Sequence, residues 1–253
     1  MRELGTVAEV RDAWVFLTGA ADGLGRSVAQ ELGRIGMKLA LFDIQGDKLQ
    51  QVSRALSEIG AEVHSYVVDL SDARATEDAV GSALADCGTP RALIHDAAVL
   101  KEREIESVSY SEWRKEVDVT IQAAFILSKA AWPGMRQARS GSIVFVSSGS
   151  AISGFRKETS YTPAKHGQEG LMKVLSLQGR DLNIAVNTVT TGAPIDTPMS
   201  ASHYTEEMKV GMVSPARLAP AFGYLASLEA VNATGMRFDA FQLSEAITWG
   251  KEH

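Results

Sequence analysis

The sequence predicts an α/β fold: a single doubly wound parallel sheet of about seven strands with helices on both faces. Short apolar runs rich in β-branched residues alternate with longer stretches of helical periodicity, and this alternation is typical of βαβ units. No Pro-rich or Ser-rich linker and no internal repeat divides the 253 residues. We therefore expect one domain over residues 1–253.

Seven segments have the length and composition of buried strands. They are Trp14–Leu17, Leu39–Phe42, Val63–Val68, Ala92–His95, Ile143–Val146, Ile184–Val189 and Met236–Phe238. Six further segments follow a helical period. They are Gly25–Ile35, Asp47–Ile59, Asp72–Asp86, Ser111–Arg139, Tyr161–Gly179 and Pro215–Ser227.

Residues that start helices and a long aperiodic stretch complete this organisation. Ser71 and Asp72 can cap the third helix, and Ser109 or Ser111, followed by Glu112, can cap the fourth. The stretch Thr190 to Ser214 has no clear period. A long loop inside a compact domain is usually a lid or a binding loop, so we expect substrate contacts there.

Composition and charge exclude several classes of function. The net charge is −6 and the isoelectric point is near 5.4, so we expect neither a nucleic-acid partner nor an anionic membrane partner. The single cysteine, Cys87, excludes a disulfide framework and a cysteine-based metal site, and we expect no metal. The start, Met1 to Trp14, is charged and has no apolar leader, and no apolar run is long enough to span a membrane. We expect a cytoplasmic protein.

A glycine-rich turn, Thr-Gly-Ala-Ala-Asp-Gly-Leu-Gly, follows the first strand over residues 18–25. Its glycines let the chain turn sharply, let its backbone approach a pyrophosphate and let the next helix pack on the sheet. The free N–H groups of the helix start then face the phosphates. The candidate cofactor contacts are Gly19, Asp22, Gly23 and Leu24. A plain tight connection between strand and helix is the alternative.

The end of the second strand favours NAD as the cofactor. Asp43 lies eighteen residues after Gly25, where a carboxylate can accept hydrogen bonds from both hydroxyls of an adenosine ribose and repel a 2′-phosphate. Neither Asp22 nor Ile44, a further candidate contact, supplies the cation that a 2′-phosphate would need. The alternative is that Asp43 is a loop residue or a helix cap.

The end of the third strand offers a second carboxylate. Asp69, followed by Leu70, lies where it could meet the amino group of an adenine. Asp69 could equally be the entry residue of the next helix, and both interpretations stay open.

Tyr161 and Lys165 begin a predicted helix, and their spacing of four places the phenol and the ammonium on one helix face. A phenol with a pKa of about 10 becomes a useful base near neutral pH only with roughly 3–4 kcal/mol from adjacent positive charge, which Lys165 and an oxidised nicotinamide can supply. Ser148 closes a predicted strand thirteen residues before Tyr161. Ligands of an open parallel sheet bind beyond the carboxyl ends of its strands, so these side chains and the glycine turn share one rim.

With these motifs the chain resembles the short-chain dehydrogenases/reductases, over about residues 10–240. The resemblance implies a Rossmann-like fold with Tyr161 as general acid/base and Ser148 as the residue that orients the reacting oxygen. It also implies that Lys165 lowers the tyrosine pKa and holds the nicotinamide ribose. A homotetramer is implied as well, with the helices Ser111–Arg139 and Tyr161–Gly179 at a subunit interface.

One departure from the family concerns the catalytic set. The family has an asparagine at the position of Thr120, where it stabilises a helix break and helps to hold a water in the proton relay. The threonine hydroxyl has fewer hydrogen-bonding sites than an amide. We expect Thr120 to take part in a working enzyme with a modified relay.

Two other departures lie near the cofactor. His95-Asp96-Ala97-Ala98 replaces the usual Asn-Asn-Ala-Gly after the fourth strand. We expect His95 to satisfy backbone groups at the strand end, and Ala97 to keep a small surface for the cofactor. The turn after the sixth strand is one residue longer than in the family and has Thr191 in place of a proline. Ile195 and Thr197 there resemble the residues that clasp the nicotinamide carboxamide.

Three segments should wall the substrate site, namely Val99–Arg103, Gly149–Glu158 and Ala193–Ser214. The candidate substrate contacts are Ser148, Ser150, Phe155, Arg156 and Met199. Charge between the serine and the tyrosine motivates a polar or anionic substrate, such as a sugar, a polyol or a hydroxy acid. A solvated loop or a subunit contact is the simpler explanation of that charge.

These observations predict an NAD(H)-dependent oxidoreductase that interconverts a secondary alcohol and a ketone, or a hemiacetal and a lactone, on a small polar substrate. Hydride transfer would proceed with Tyr161 as acid/base. Two alternatives stay open. One is an NADPH-dependent biosynthetic ketoreductase, which Asp43 opposes. The other is a non-catalytic NAD-binding regulator or scaffold. Thr120, His95 and Thr191 would allow it, whereas an intact Ser148, Tyr161 and Lys165 oppose it.

Overall fold

The computed structural model describes residues 10–252 and contains one parallel sheet, which confirms the predicted fold class. Its strands are β1 (Trp14–Thr18), β2 (Lys38–Asp43), β3 (Val63–Val67), β4 (Ala92–His95), β5 (Gly141–Val146), β6 (Ile184–Thr190) and β7 (Arg237–Asp239). Their order in the sheet is β3-β2-β1-β4-β5-β6-β7, and all neighbours pair in parallel. The order reverses between β1 and β4, which is where ligands of such sheets bind.

Helices follow the strands along the chain. They are α1 (Gly23–Arg34), α2 (Gly46–Glu58), α3 (Ala73–Cys87), α4 (Tyr110–Val117), α5 (Ala123–Ala138), α6 (Tyr161–Gly179), α7 (Pro198–His203), α8 (Glu206–Lys209), α9 (Ala219–Ser227) and α10 (Ala240–Glu252). A π-helical turn, Asp118–Gln122, joins α4 to α5.

Alternate residues of the central strands pack on opposite faces of the sheet. In β1, Val15 and Leu17 belong to one buried cluster and Phe16 to the other. Helices α1, α2 and α9 contribute to the first cluster, and α3, α5 and α6 to the second. Both faces are therefore covered, and the carboxyl ends of the strands are left to build a site.

Side-chain caps set the helix starts. The Asp22 carboxylate accepts from the Gly23 amide at 2.8 Å, so α1 begins two residues before the predicted Gly25. Of the two predicted capping residues of the third helix, Ser71 and Asp72, the structure shows Asp72 as the cap of α3. Ser109, one of the two predicted alternatives, caps α4 in a reciprocal capping box.

The prediction of one helix over Ser111–Arg139 is wrong, because the π-helical turn separates α4 from α5. A π turn bonds each amide to the carbonyl five residues back, so it inserts a residue into the helical period. The side chain of His95, which is distant in sequence, bonds carbonyl oxygens of this turn. Periodicity alone could not reveal a break that a tertiary contact stabilises.

The second half of the chain contains more helix than predicted. The stretch Thr190 to Ser214 includes α7 and α8, and α7 begins where the Thr197 hydroxyl accepts the Ser200 amide. The predicted helix Pro215–Ser227 opens as a 3₁₀ turn, Pro215–Arg217, before α9. Helix α10 follows β7 directly and is absent from the predicted set.

Two predictions extend beyond the described residues. The single domain over residues 1–253 includes residues 1–9 and 253, and the charged start includes residues 1–9, so both stay predictions. Within residues 10–252, no helix is long and apolar enough to cross a membrane. The same residues form no group of three or more His, Cys, Asp or Glu side chains that could hold a metal ion. The cytoplasmic location stays a prediction.

Candidate active site

A cavity of about 1050 Å³ opens at the carboxyl ends of the strands, between the glycine turn and the start of α6. The predicted residues that line it are Gly19, Asp22, Gly23, Leu24, Asp43, Ile44, Asp69, Leu70, Ala97, Ser148, Ser150, Phe155, Arg156, Tyr161, Lys165, Ile195, Thr197 and Met199. Thr120 is not among the residues that line the cavity and is fully buried. Motifs far apart in the sequence therefore share one rim, as the topology predicts.

The glycine turn is packed too closely to carry side chains. Gly19 has a φ of +70° and Gly23 a φ of +52°, in the region that favours glycine. A Cβ on Gly19 would lie 2.9 Å from the Ala97 amide nitrogen, and one on Gly25 would lie 2.0 Å from the Gly19 carbonyl oxygen. The turn and the first amides of α1 fit the pyrophosphate of a dinucleotide, because backbone can approach closely and the helix start stabilises anions.

The Asp43 carboxylate is buried at the end of β2 and held by two main-chain amides. Ala21 donates to one oxygen at 3.0 Å, and Gln45 donates to the other at 2.9 Å. Each carboxylate oxygen keeps lone-pair capacity, so Asp43 can also accept hydrogen bonds from a ribose diol. The end of β2 therefore fits an adenosine ribose.

Sequence reasoning missed a cation at this end of the cavity. Lys48, in the first turn of α2, lines the cavity with Asp43 and Ile44 and pairs with Asp22 at 2.5 Å. The hydrogen bond from Lys48 lowers the pKa of the Asp22 carboxyl. Neither Asp22 nor Ile44 supplies a cation, but Lys48 does. A basic residue in the first turn of the helix after the strand-ending acid was the available signal.

Asp69 has contacts of two kinds. Its carboxylate accepts from the Ser71 amide at 3.0 Å and hydroxyl at 2.7 Å, as a helix-entry residue does. It also pairs with Lys115 at 3.2 Å and lines the cavity beside Leu70. The geometry is compatible with both interpretations of Asp69.

Ser148, Tyr161 and Lys165 meet at the other end of the cavity. Ser148 and Tyr161 line the same cavity, and the Lys165 ammonium lies 5.6 Å from the centroid of the tyrosine ring. The Ser148 hydroxyl also lies 3.2 Å from that of Ser150. Tyr161 and Lys165 are both buried, so water screens their interaction weakly.

Burial shifts the titration of this group. It raises the pKa of Tyr161 far above the ordinary phenol value, and the Ser148 side chain opposes that shift. Burial lowers the pKa of Lys165 to about 8, although Asp96 favours the ammonium. Burial also raises the pKa of Asp96 to about 7. The phenol is therefore neutral until further positive charge enters the cavity.

His95 ends β4 inside the protein and holds the π-helical turn. Its Nδ1 lies 2.8 Å from the Thr18 hydroxyl, and its Nε2 lies 3.0 Å and 3.1 Å from the carbonyl oxygens of Val119 and Thr120. Carbonyl oxygens only accept, so Nε2 carries the proton and Nδ1 accepts from Thr18. The prediction that His95 satisfies backbone groups at the strand end is therefore wrong in its partners, because the carbonyls it bonds belong to the π-helical turn.

Sequence reasoning also missed Gln168, which is fully buried in α6. Its Nε2 donates to the Thr120 carbonyl oxygen at 3.3 Å, and its Oε1 accepts from Lys165 Nζ at 3.3 Å. The Thr120 hydroxyl has no hydrogen-bond partner among the described residues. A relay role for Thr120 stays a prediction, and its carbonyl rather than its hydroxyl faces Gln168. The spacing of three from Lys165 on one helix could have identified Gln168.

A second buried network supports the Ser148 main chain. The Glu169 carboxylate accepts from the Ser147 hydroxyl at 2.5 Å, the Thr188 hydroxyl at 3.0 Å and Arg237 Nε at 3.1 Å. Arg237 also donates to the Ser148 carbonyl oxygen at 2.7 Å. This network ties α6 to the ends of β5, β6 and β7.

Thr197 and Ile195 hold the turn after β6 beside the glycine turn. A Cβ on Gly23 would lie 3.3 Å from Thr197 Cγ2, so the two segments are in contact. Ile195 forms a β-bridge with Val213, which closes the base of the segment that carries α7 and α8.

Charged side chains of the predicted substrate walls form ion pairs with residues outside those walls. Arg103 forms ion pairs with Glu112 and Glu116 and so fixes one wall to α4. Arg156 lines the cavity, but it is 85% exposed and pairs with Glu104 at 2.9 Å. Its contact with solvent is compatible with the solvated-loop interpretation as well as with a substrate contact.

Known proteins of one family are similar to this chain. The family model described as short chain dehydrogenase matches residues 13–208. The trans-4-hydroxycyclohexanecarboxylate dehydrogenase of Sinomonas cyclohexanicum is 33% identical over 202 residues, which are 76% of this chain and 76% of that protein. The cyclohexanol dehydrogenase of Acinetobacter sp. (strain SE19) is 28% identical over 229 residues, 88% of this chain and 91% of that protein.

A solved structure shows the same fold. The L-sorbose reductase from Gluconobacter frateurii, complexed with NADPH and L-sorbose, matches with a TM-score of 0.82 at 23% identity, over 92% of this chain and 97% of that chain. At this identity the likeness concerns the fold alone. The family match and the seven-stranded sheet together show that the chain belongs to the short-chain dehydrogenase family of oxidoreductases, which use nicotinamide cofactors.

Proposed function

We propose that the protein is an NAD(H)-dependent oxidoreductase that interconverts a secondary alcohol and a ketone on a small polar substrate. One observation carries the proposal. A single cavity has the glycine turn and Asp43 at one end and Ser148, Tyr161 and Lys165 at the other. Such a cavity can hold a dinucleotide beside a group that exchanges protons with the substrate.

Tyr161, Ser148 and Lys165 each have a separate role in the proposed reaction. Bound NAD⁺ would supply the hydride acceptor. During oxidation the carbinol carbon gives up hydride, the hydroxyl proton passes to the Tyr161 phenolate, and a ketone and a neutral phenol result. The Ser148 hydroxyl holds the reacting oxygen in place. Lys165 stabilises the phenolate by its charge and would bind the nicotinamide ribose, and reduction reverses these steps.

Asp43 supports NAD over NADP, because its negative charge would face a 2′-phosphate. A second candidate is an NADPH-dependent reductase, and Lys48 is the observation that favours it. The Lys48 ammonium lies at the same end of the cavity, and the L-sorbose reductase of the same fold binds NADPH. We favour NAD because Asp22 already neutralises Lys48.

For the substrate we propose a hydroxy acid, polyol or sugar, with cyclic hydroxy acids first. The relatives described above are named for a ring alcohol and for a ring alcohol that bears a carboxylate. Phe155 and Met199 offer apolar surface at the cavity mouth, and Arg156 offers a positive charge. A ring with one anionic group has the complementary chemistry.

A homotetramer is part of the proposal. Helices α5 and α6 carry the exposed apolar side chains Phe125, Val174 and Leu177. Exposed apolar side chains often mark interfaces, and a second copy of the chain would cover these. Light scattering on the wild type and on Leu177→Asp tests the assembly: a tetramer that the substitution dissociates is expected, and a monomeric wild type would contradict it.

The activity is tested by an NADH-absorbance screen over cyclohexanol, trans-4-hydroxycyclohexanecarboxylate, polyols and sugars, with NAD⁺ and NADP⁺ compared. Turnover with NAD⁺ is expected, and Tyr161→Phe should lower kcat by about 10³-fold because a general acid/base is lost. Tyr224→Phe, away from the cavity, is the matched control. Cofactor binding without turnover, unchanged by Tyr161→Phe, would instead favour a non-catalytic regulator.

A further inference from the structure

We propose that Gln168 is a positioning residue for the reaction: its side-chain amide bridges the Lys165 ammonium to the main chain of the π-helical turn and so fixes the charge that acts on Tyr161. This inference rests on the proposed function, because it concerns how the acid/base group of that function is tuned. Gln168 itself touches neither the phenol nor the cavity.

The Lys165 ammonium is held from behind. Among the described residues it has two acceptors, the Val146 carbonyl oxygen at 2.5 Å and Gln168 Oε1 at 3.3 Å. An ammonium has three N–H donors, so one remains for the cavity side. With two donors fixed by protein, the direction of the third is set before a ligand binds.

The two contacts of Gln168 also fix the orientation of its amide. Oε1 must face the ammonium and Nε2 must face the Thr120 carbonyl oxygen, since the flipped amide would oppose donor to donor and acceptor to acceptor. Gln168 is fully buried, so no solvent competes for either contact. The amide therefore presents the negative end of its dipole to Lys165.

The far end of the bridge is itself immobilised. His95 Nε2 donates to the Thr120 carbonyl at 3.1 Å, so this carbonyl of the π turn accepts from two side-chain donors, His95 and Gln168. The Thr120 hydroxyl takes no part, since it has no hydrogen-bond partner among the described residues. Lys165 is thus connected through Gln168 to β4, which carries His95.

Other charges around Lys165 and Tyr161 must be counted in any pH profile. They come from the end of β4, the loop before α6, α6 itself, the chain after α7, and β7. The groups are His95, Asp96, Glu158, Glu169, Tyr204 and Arg237, the last paired with Glu169. None of these groups is replaced in a Gln168 variant. A shift of the pH profile in that variant therefore measures the effect of losing the contacts between Gln168, Lys165 and the Thr120 carbonyl.

Two variants separate positioning from packing. Gln168→Leu removes the dipole, and the nearly isosteric Gln168→Glu places a carboxylate against Lys165. Leu leaves the ammonium without its second acceptor, so Lys165 loses its fixed position and its charged form is less favoured, whereas Glu offsets the ammonium charge directly. In both variants the positive potential at the phenol falls, so the acid limb of kcat for alcohol oxidation should move to higher pH, by about half a unit for Leu and by about one unit for Glu. Gln178→Leu, exposed on the same helix, should leave the limb in place.

A titration without turnover provides the second readout. Ultraviolet difference titration of the NAD⁺-bound protein, with Tyr161→Phe subtracted, follows ionisation of the phenol. In the Gln168 variants this ionisation of the Tyr161 phenol should shift in the same direction as the acid limb of kcat. A loss of kcat by the same factor at every pH, with the titration unmoved, would overturn the inference. If the titration shifts but no alcohol is oxidised, the proposed function fails while the role of Gln168 stands.

Discussion

His95 Nε2 donates to the main-chain carbonyl of Thr120, 3.1 Å away, and joins the end of β4 to the π-helical turn. The family asparagines at both positions are replaced here, and the replacements contact each other through the backbone. The His95 imidazole, held in one tautomer, thus stabilises the π-helical turn that breaks the helix. This relationship implies that His95 must stay neutral in the folded protein.

We expect the stability deficit of His95→Asn to shrink as the pH falls. Burial lowers the pKa of His95 from 6.5 to about 4, so unfolding takes up a proton, and the stability from neutral His95 is lost as the pH falls from 6.5 towards 4. Asparagine keeps a donor for the Thr120 carbonyl but does not titrate. In urea denaturation, the difference in unfolding free energy from wild type should fall by about 2 kcal/mol between about pH 7 and about pH 5.

Asp96 has the opposite effect on the pH dependence of stability from His95. The wild type is therefore compared with a variant that keeps Asp96. Its pKa is raised from 3.8 to about 7 by burial, so the folded protein binds its proton first and gains stability as the pH falls through this window. Wild type and variant share Asp96, so its contribution cancels. His166→Asn, on the exposed side of α6, is the control. A pH-independent deficit for His95→Asn would show that the ring is not kept neutral.

Much of the fold could be predicted because it depends on local pattern. The run Trp14–Thr18 is apolar and turns at glycine, so its strand and the following helix can be identified without tertiary information. The break at Asp118–Gln122 could not be found this way, because it is bonded by His95 from another strand. The start of α7 was recoverable in principle, from Thr197 and Pro198 as cap and first residue.

The residues of the site also differ in whether the sequence alone could predict them. Ser148, Tyr161 and Lys165 could be predicted from spacing and from the topology that brings strand ends together. Contacts between charges that are distant in the sequence could not be predicted, because Lys48 reaches Asp22 only when β1 and β2 pair. Gln168 lies between these cases, because its spacing from Lys165 is visible in the sequence but its bond to Thr120 is not.

The Lys48–Asp22 pair should control the use of NADP⁺. Asp22→Asn keeps a residue that caps α1 and removes the charge that holds Lys48. The freed ammonium can then meet a 2′-phosphate, so kcat/KM for NADP⁺ should rise by about fivefold, as expected for one exposed charge pair. Kinetics with both cofactors give the ratio. Adding Lys48→Ala to Asp22→Asn should remove the gain in kcat/KM for NADP⁺. If the gain remained in the double variant, it would come only from the lost repulsion between the Asp22 carboxylate and the 2′-phosphate. Asp78→Asn, an exposed pair with Arg74, is the control.

Arg237 should support both stability and turnover. Arg237→Met leaves the Glu169 carboxylate, which is 9% exposed, without a cation, and we expect a loss of about 2 kcal/mol because Arg237 is itself partly exposed. The Ser148 carbonyl also loses its 2.7 Å donor, so kcat should fall by about tenfold as Ser148 loses its fixed position. Thermal unfolding and steady-state kinetics measure the two effects. Arg180→Met, exposed, is the control. An unchanged kcat would remove Arg237 from the support of Ser148.

Arg156 is best tested with a matched pair of substrates. If it meets a substrate carboxylate, Arg156→Ala should lower kcat/KM for trans-4-hydroxycyclohexanecarboxylate by about threefold and leave that for cyclohexanol unchanged. The effect is small because the guanidinium is 85% exposed and already paired with Glu104. Glu104→Gln releases Arg156 from this pair and should change the same ratio in the opposite direction. Equal changes for both substrates would mean that Arg156 acts only through the loop, which then belongs to the solvated surface rather than to the substrate site.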